Sequence, residues 1–316
     1  MGSYVAQRGV QAAVLLLLVS LVGYSIMSLA PGGPLAVYLH NPHVTPEKID
    51  LLRHQLGLDQ PWYLRYASWL KGLVSGHWGY SYYTGRPVLD MIGERLPATF
   101  TLMLSALSLA IALSFPLGAL AATHKYSWGD NLLSLGSFFV WAMPTFWFGL
   151  MLQMALAVRW HLLPVAGMHE IDNRSVGDLL RHLTMPAMVL GIGSIASWSR
   201  YLRSGMLEVL GQDYVRTAYA KGLPAYRVML RHVLRNSLIP IVTIMGLDLH
   251  VLFSGAVITE SIFAWPGMGR LFLAALNNRD YPVQMAGLMI SAILLIVGNL
   301  MADLTYAALD PRIRYE

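Results

Sequence analysis

Residues 9–30 read GVQAAVLLLLVSLVGYSIMSLA, without one charged side chain. A helix that crosses the hydrocarbon core of a bilayer needs about 20 consecutive apolar residues, and this stretch supplies them. Arg8 stands before it, and Pro31-Gly32-Gly33-Pro34 ends it sharply. Arg8 and the small-residue triplet Ser28-Leu29-Ala30 also resemble a secretory signal and its cleavage site. The apolar run exceeds the usual signal core of about 7–15 residues, so the reading is a retained membrane helix.

Outward from this block, five more apolar blocks follow at 99–122, 132–158, 185–198, 238–259 and 283–304. The chain has 316 residues, 56% hydrophobic and 12% charged, against about 25% charged in soluble domains. The charges sit between the blocks. The pattern predicts an all-α polytopic membrane protein with about six transmembrane helices. It would divide into an N-terminal helix (1–30), an external segment with interfacial helices (31–98) and a core of five transmembrane helices (99–316), with a cytoplasmic loop at 204–237 between helices four and five.

The chain has no cysteine, which excludes disulfides, thiolate metal sites and cysteine catalysis. Its net charge of +5 is explained by topology without invoking nucleic acid. With six helices, Arg8, Lys125, Arg312 and Arg314 share one side with a long basic run: Arg200, Arg203, Arg216, Lys221, Arg227, Arg231 and Arg235. The opposite short loops hold only Arg159, Arg174, Arg181, Arg270 and Arg279. The richer side is cytoplasmic, which places both termini there in a multi-pass cell-membrane protein.

In the external segment, Thr45-Pro46-Glu47 reads as a helix start and Gly57 as its stop. Trp62, Tyr63, Tyr66, Trp69, Leu70 and Leu73 recur at helical spacing, the mark of an interfacial helix. Trp78, Tyr80, Tyr82 and Tyr83 then crowd one loop. Two readings stand there, a docking surface for an external partner and an anchor at the membrane interface.

The loop from Gln212 to Pro240 is the most informative. Asp213 can cap a helix that begins at Tyr214, and Gly222 is a natural left-handed stop. Pro224 can open a second helix, on which Arg227, Arg231 and Arg235 share one face opposite Val228, Met229, Leu230, Val233 and Leu234. The result is a helical elbow on the membrane surface. Ala218 and Gly222 would leave its backbone open to close approach by another protein.

Arg216-Thr217-Ala218-Tyr219-Ala220-Lys221-Gly222 resembles the cytoplasmic E-A-A-x-x-x-G loop of permeases in ATP-binding cassette (ABC) importers. Ala218 and Gly222 match that pattern literally. Arg216, Thr217 and Arg235 depart from it in the manner of the dipeptide and oligopeptide branch. The resemblance to that branch extends over nearly the whole chain, through Gly57-Leu58-Asp59-Gln60-Pro61, Thr84-Gly85-Arg86-Pro87, Arg231-His232-Val233-Leu234-Arg235-Asn236 and Asn278-Arg279-Asp280-Tyr281-Pro282. It continues through Thr259-Glu260-Ser261-Ile262-Phe263-Ala264-Trp265-Pro266-Gly267-Met268-Gly269 and the ending Asp310-Pro311-Arg312-Ile313-Arg314. The resemblance implies a non-catalytic permease subunit forming half of a translocation path for peptides or similar small solutes. It implies a second homologous permease, two cytoplasmic ATPase subunits that bind ATP and Mg, and an external solute-binding protein. The elbow residues Asp213, Arg216, Thr217, Ala218, Lys221 and Gly222 would couple to an ATPase.

Inside the membrane blocks, Asp248 and His250 are the costly groups. They either line the path of a zwitterionic cargo or tie helices together. No G-x-x-x-x-G-K-[ST] loop occurs, so the chain is not expected to hydrolyse ATP itself, and no bound cofactor is expected. Gly191-Ile192-Gly193-Ser194-Ile195-Ala196 fits a dinucleotide fingerprint only superficially, because it lies in an apolar block. No H-E-x-x-H or G-x-S-x-G is present, and His161, His169 and His182 are scattered, so no metal site is expected. A secondary transporter driven by an ion gradient and a membrane-embedded hydrolase are the alternatives.

Overall fold

A computed structural model of the chain describes residues 2–31, 33–35, 45–55 and 57–309; within these, the side chains of 2–6, 46, 239–240, 243, 247, 249–255 and 302–309 lie outside the description. Helix follows helix. The described residues form no strand, only isolated bridges at Tyr80–Pro87 and Glu170–Asn173.

The first apolar block is α1, Gly2–Leu29. After a short 3-10 turn at Gly33–Leu35, α2 spans Pro46–Gln55, and Gly57 closes it at φ +64°. α3 spans Trp62–Val74. Its aromatic stripe is divided. Trp62 and Tyr63 stay exposed, while Tyr66 and Trp69 turn onto Tyr24 of α1, with ring centroids 5.4 and 5.9 Å away. The Tyr66 hydroxyl also shares a 2.9 Å hydrogen bond with Ser20.

α4 runs Val88–Thr123 and starts well before residue 99. Hydropathy misses its first turns because Asp90, Glu94 and Arg95 are charged, yet charge does not oppose helix formation. The expected single span 132–158 is two pieces. α5 is Trp128–Ala142. α6 is Thr145–Leu152, prolonged by a π-turn at Gln153–Arg159. The two pieces bend by 105°. Pro144 causes the break: it has no N–H to donate, and it holds Met143 in an extended conformation at φ −90° and ψ 126°.

α7, Val176–Leu210, is far longer than the expected 185–198 and is capped by Ser175, whose hydroxyl accepts from the Asp178 N–H. Small residues let it approach α4 closely. A Cβ at Gly191 would lie 3.0 Å from the Ala106 carbonyl oxygen, and one at Gly118 only 2.7 Å from that of Ser199. The Gly191–Ala196 stretch is therefore a helix-packing surface. Next come α8 (Asp213–Ala220), α9 (Ala225–Val228), a π-turn (Met229–Leu234) and α10 (Arg235–Ile262). The last three form one unbroken helical run. α11 (Met268–Asn277) and α12 (Tyr281–Leu309) complete the chain.

Four described helices are long and apolar enough to cross a membrane, five if the bent α5–α6 pair is one span. The fifth expected span, 238–259, falls on α10, where many side chains lie outside the described residues.

The helices gather into two compact units. One comprises Met1–Ala98 and Pro266–Ile296, the other Thr99–Trp265 and the residues from 297. In the first, Val88, Met91 and Ile92 pack with Met268, Ala275 and Val283. In the second, Ala122, Leu202, Met206, Val215, Val228 and Val233 form the largest core beside the elbow. The second unit also holds a partly buried ion pair. Arg203 of α7 grips Asp130 of α5 with both prongs of its guanidinium, one at 2.7 Å, and Asp130 accepts the Tyr126 N–H at 2.8 Å.

Candidate functional site

The elbow has the expected outline with three changes. Asp213 is the first residue of α8 and does not cap it; Gln212 holds the cap position, with no side-chain hydrogen bond. The Asp213 carboxylate instead lies 3.4 Å from the Arg216 guanidinium on an open surface, and its carbonyl accepts from the Thr217 hydroxyl at 2.9 Å. An acid in the first turn still suits the positive end of a helix dipole.

The second change concerns Ala218, which is not exposed. It is 5% accessible and packs in the core with Val215, Val228 and Val233. On α8 the period of 3.6 puts Val215 and Ala218 on the inner face together, and only a residue as small as alanine lets the helix lie this close. Gly222 does reach the surface. It has φ +74°, and a Cβ there would meet nothing within 4 Å. The Gly222 N–H bonds to the Tyr219 carbonyl at 2.9 Å, and the Leu223 N–H to that of Ala218 at 3.3 Å, which closes the helix in the left-handed manner.

The third change is on the second arm. Arg227, Arg231 and Arg235 stay exposed and Val228 and Val233 are buried, as the periodicity required. Leu230, expected on the inner face, is 60% exposed. Helical spacing is the reason, since Leu230, three residues from Arg227, lies on the arginine side of the helix. Leu230 therefore joins Tyr214, Tyr219 and Tyr226 as exposed apolar surface on the elbow, beside Lys221 and Gly222. Sequence reading passed over the three tyrosines; their positions outside the Val215–Ala218 face were the available signal.

The loop at 78–87 is a tight hairpin. The Ser81 N–H bonds to the Arg86 carbonyl at 2.9 Å, and the Val88 N–H to that of Gly79 at 3.1 Å. Asp280, buried, fixes it by accepting from the Ser81 hydroxyl and, at 2.9 Å, from the Tyr82 N–H. The four aromatic residues split in two. Trp78 packs on the Val88–Met91 cluster, and Tyr82 is partly buried, with burial pushing its phenol up to about 12. Tyr80 and Tyr83 alone of the four are strongly exposed.

Asp248 accepts a 2.7 Å hydrogen bond from the indole N–H of Trp198, which is fully buried. It thus links α10 to α7. The His250 side chain lies outside the described residues. His169 and His182 both face the Asp178 carboxylate, at 3.1 and 3.2 Å, whereas His161 is not in that group. The spacing of four between Asp178 and His182 on one helix was legible; the return of His169 was not. No group of three or more such residues is arranged to hold a metal ion among the described residues.

Residues 114–315 match the family described as binding-protein-dependent transport system inner membrane component, and residues 1–103 match the N-terminal model of such membrane components. The chain is 41% identical over 317 residues to the oligopeptide transport system permease protein AppB of Bacillus subtilis, covering all of both chains. It is 37% identical to the dipeptide transport system permease protein DppB of Escherichia coli K12, over 94% of each. Among solved structures, a chain of the MetNI methionine ABC transporter in an inward-facing conformation superposes with a TM-score of 0.58 at 14% identity, covering 71% of this chain and 98% of that one. At that identity the likeness concerns the fold.

Proposed function

The chain belongs to the binding-protein-dependent transport system inner membrane components and is a membrane permease subunit of an ATP-driven importer; from that premise we propose that it forms half of a translocation path for peptides. The relatives named for oligopeptides and dipeptides support that cargo. The proposal includes a second homologous permease, two ATPase subunits that hold ATP and Mg, and an external solute-binding protein. Residues 1–30 serve as the first membrane helix, 31–98 as the external segment and 99–316 as the permease core. Both termini lie with the elbow on the cytoplasmic side.

One observation carries the coupling role. Gly222 is a left-handed, open corner at the tip of an elbow, and that elbow is held to α7 by the Val215–Ala218 face. A partner can approach the corner closely, and whatever moves it moves α9, the π-turn and α10 as one run. ATP binding acts on the permease only through contacts that differ between the open and closed ATPase dimer. Lys221, Gly222, Arg216 and Thr217 are the proposed contact residues, with Asp213 orienting Arg216. Ala218 contributes by placing the helix. Tyr80 and Tyr83 are the proposed external docking residues, and Asp248 is assigned to holding α10 against α7 at the path.

The test is uptake of a radiolabelled tripeptide by cells carrying Gly222→Asn. Asparagine tolerates a positive φ, so the fold is kept while bulk is added at the corner. Uptake should collapse with the chain still present in the membrane. Uptake at the wild-type rate would overturn the coupling assignment.

A further inference from the structure

His169 and His182 both turn Nδ1 toward Asp178. The carboxylate lies 3.1 Å from the first ring and 3.2 Å from the second. The Asp178 carbonyl lies 3.0 Å from the same nitrogen of His182. Carboxylate and carbonyl oxygens only accept, so each ring carries its proton on Nδ1. The Nε2 of each neutral ring is then a bare acceptor. The Glu170 N–H completes the clasp, 3.1 Å from the same carboxylate.

A cavity of about 530 Å³ lies against these rings, within the second unit. His182 is its most enclosed wall residue, at 5% exposure, while Glu170, Ile171, Asp172 and Asn173 are exposed around it. No hydrogen bond reaches the His182 Nε2 among the described residues. Nor is it one of the sealed atoms that lack a partner, which are the Arg65 Nε and the hydroxyls of Ser114 and Tyr281. Its lone pair therefore keeps open surface, and the cavity is what that surface meets. Neither Glu170 nor Asp172 has an ion-pair partner among the described residues, and no lysine or arginine is among the wall residues.

The wall thus offers imidazole lone pairs and carboxylates, and its complement is a positively charged donor. Calcium and magnesium prefer oxygen ligands, and no group of three or more described side chains is arranged for a metal ion. An ammonium carries three N–H donors not confined to a plane, which suits acceptors presented by a loop and a helix. The volume is that of a small-ligand site and leaves room for the residue that bears the charge, with Ile171 as apolar contact. The cavity also stands at the first turns of α7, a helix on the order of 50 Å long, whereas the elbow follows its last turn. With the elbow cytoplasmic, the cavity is on the outer side. We propose that it is a receiving site for the amino terminus of a peptide, the ammonium donating to the His182 Nε2 with Glu170 and Asp172 as counter-charges. This rests on the peptide reading of the cargo and deepens it.

The test is equilibrium dialysis of radiolabelled trialanine against the importer, purified through a tag on this chain, without its solute-binding protein and with EDTA present. Wild type should bind trialanine, and butylammonium should compete whereas N-acetyltrialanine should not. His182→Phe should weaken binding about tenfold, the scale of one charge-assisted hydrogen bond. The double change Glu170→Gln with Asp172→Asn, at exposed positions, should weaken it similarly in a protein of unchanged thermal stability. Competition by N-acetyltrialanine equal to that of trialanine itself would overturn the proposal, as would wild-type binding by both variants. Retention of butylammonium without trialanine would also overturn it, giving the cavity to a lysine of an external protein. ATP-driven uptake of trialanine by the wild-type importer with its binding protein, measured in parallel, tests the cargo reading by itself: uptake without binding at the cavity would sink the receiving site alone.

Discussion

At the scale of single residues, two positions four apart on the elbow have opposite roles. Ala218 is enclosed by its own chain, and Gly222 faces outward. Ala218→Leu should therefore act on folding. Overpacking of this kind costs about 1–3 kcal/mol, and it should appear as a lower melting temperature and less monodisperse protein in detergent. Gly222→Asn should leave both unchanged and remove uptake. A second contrast concerns Asp130, 2% accessible and gripped by Arg203. Arg203→Ala strands a buried carboxylate, at a cost of about 3–5 kcal/mol. The double change Asp130→Leu with Arg203→Met should be markedly less harmful, and thermal unfolding of the two variants checks it. Tyr82 gives a pH signature. Its phenol is raised from 10.0 to about 12, so its contribution to stability is complete below pH 10 and fades as pH rises from 10 toward 12. Tyr82→Phe should flatten that part of the stability profile.

At the scale of elements, Trp198 and Asp248 join α7 to α10 inside the apolar region. Asp248→Asn keeps an acceptor oxygen for the indole and should keep most uptake. Asp248→Leu leaves the buried indole N–H unpaired and should lower stability by about 1–3 kcal/mol, read from unfolding in detergent. If Asp248→Asn abolished uptake in a stable protein, the charge itself would be part of the path. The elements also show what a sequence conveys. Blocks such as 9–30 were readable because hydropathy is a sum over many residues. The Gly222 corner was readable because few residues accept a positive φ. The break in 132–158 was marked by Pro144 but hidden by unbroken hydropathy on either side. The true starts of α4 and α7 were hidden because charged and polar first turns lower hydropathy without opposing a helix. The burial of Ala218 depended on where α7 and α10 come to rest, which is not a local property.

At the scale of the whole molecule, the proposed topology can be tested cleanly because the chain has no native cysteine. Lys221→Cys and Tyr83→Cys lie at exposed positions in the second and the first unit, respectively. A membrane-impermeant maleimide applied to intact cells should label Tyr83→Cys and spare Lys221→Cys, and opened membranes should expose both. Labelling of Lys221→Cys in intact cells would reverse the orientation and take the ATPase assignment with it. The unbroken run from Ala225 to Ile262 bears on how such a machine spends its motion. At 1.5 Å per residue it is on the order of 55 Å long, and Pro240 within it has no N–H to donate, which removes one rung of its hydrogen-bond ladder. The π-turn at its base is a wide coil that can tighten. Passing its slack along the run would turn the far end. Torque delivered to the elbow would then reach the far end of α10 as rotation, and the stroke would be set by the gearing of one helix.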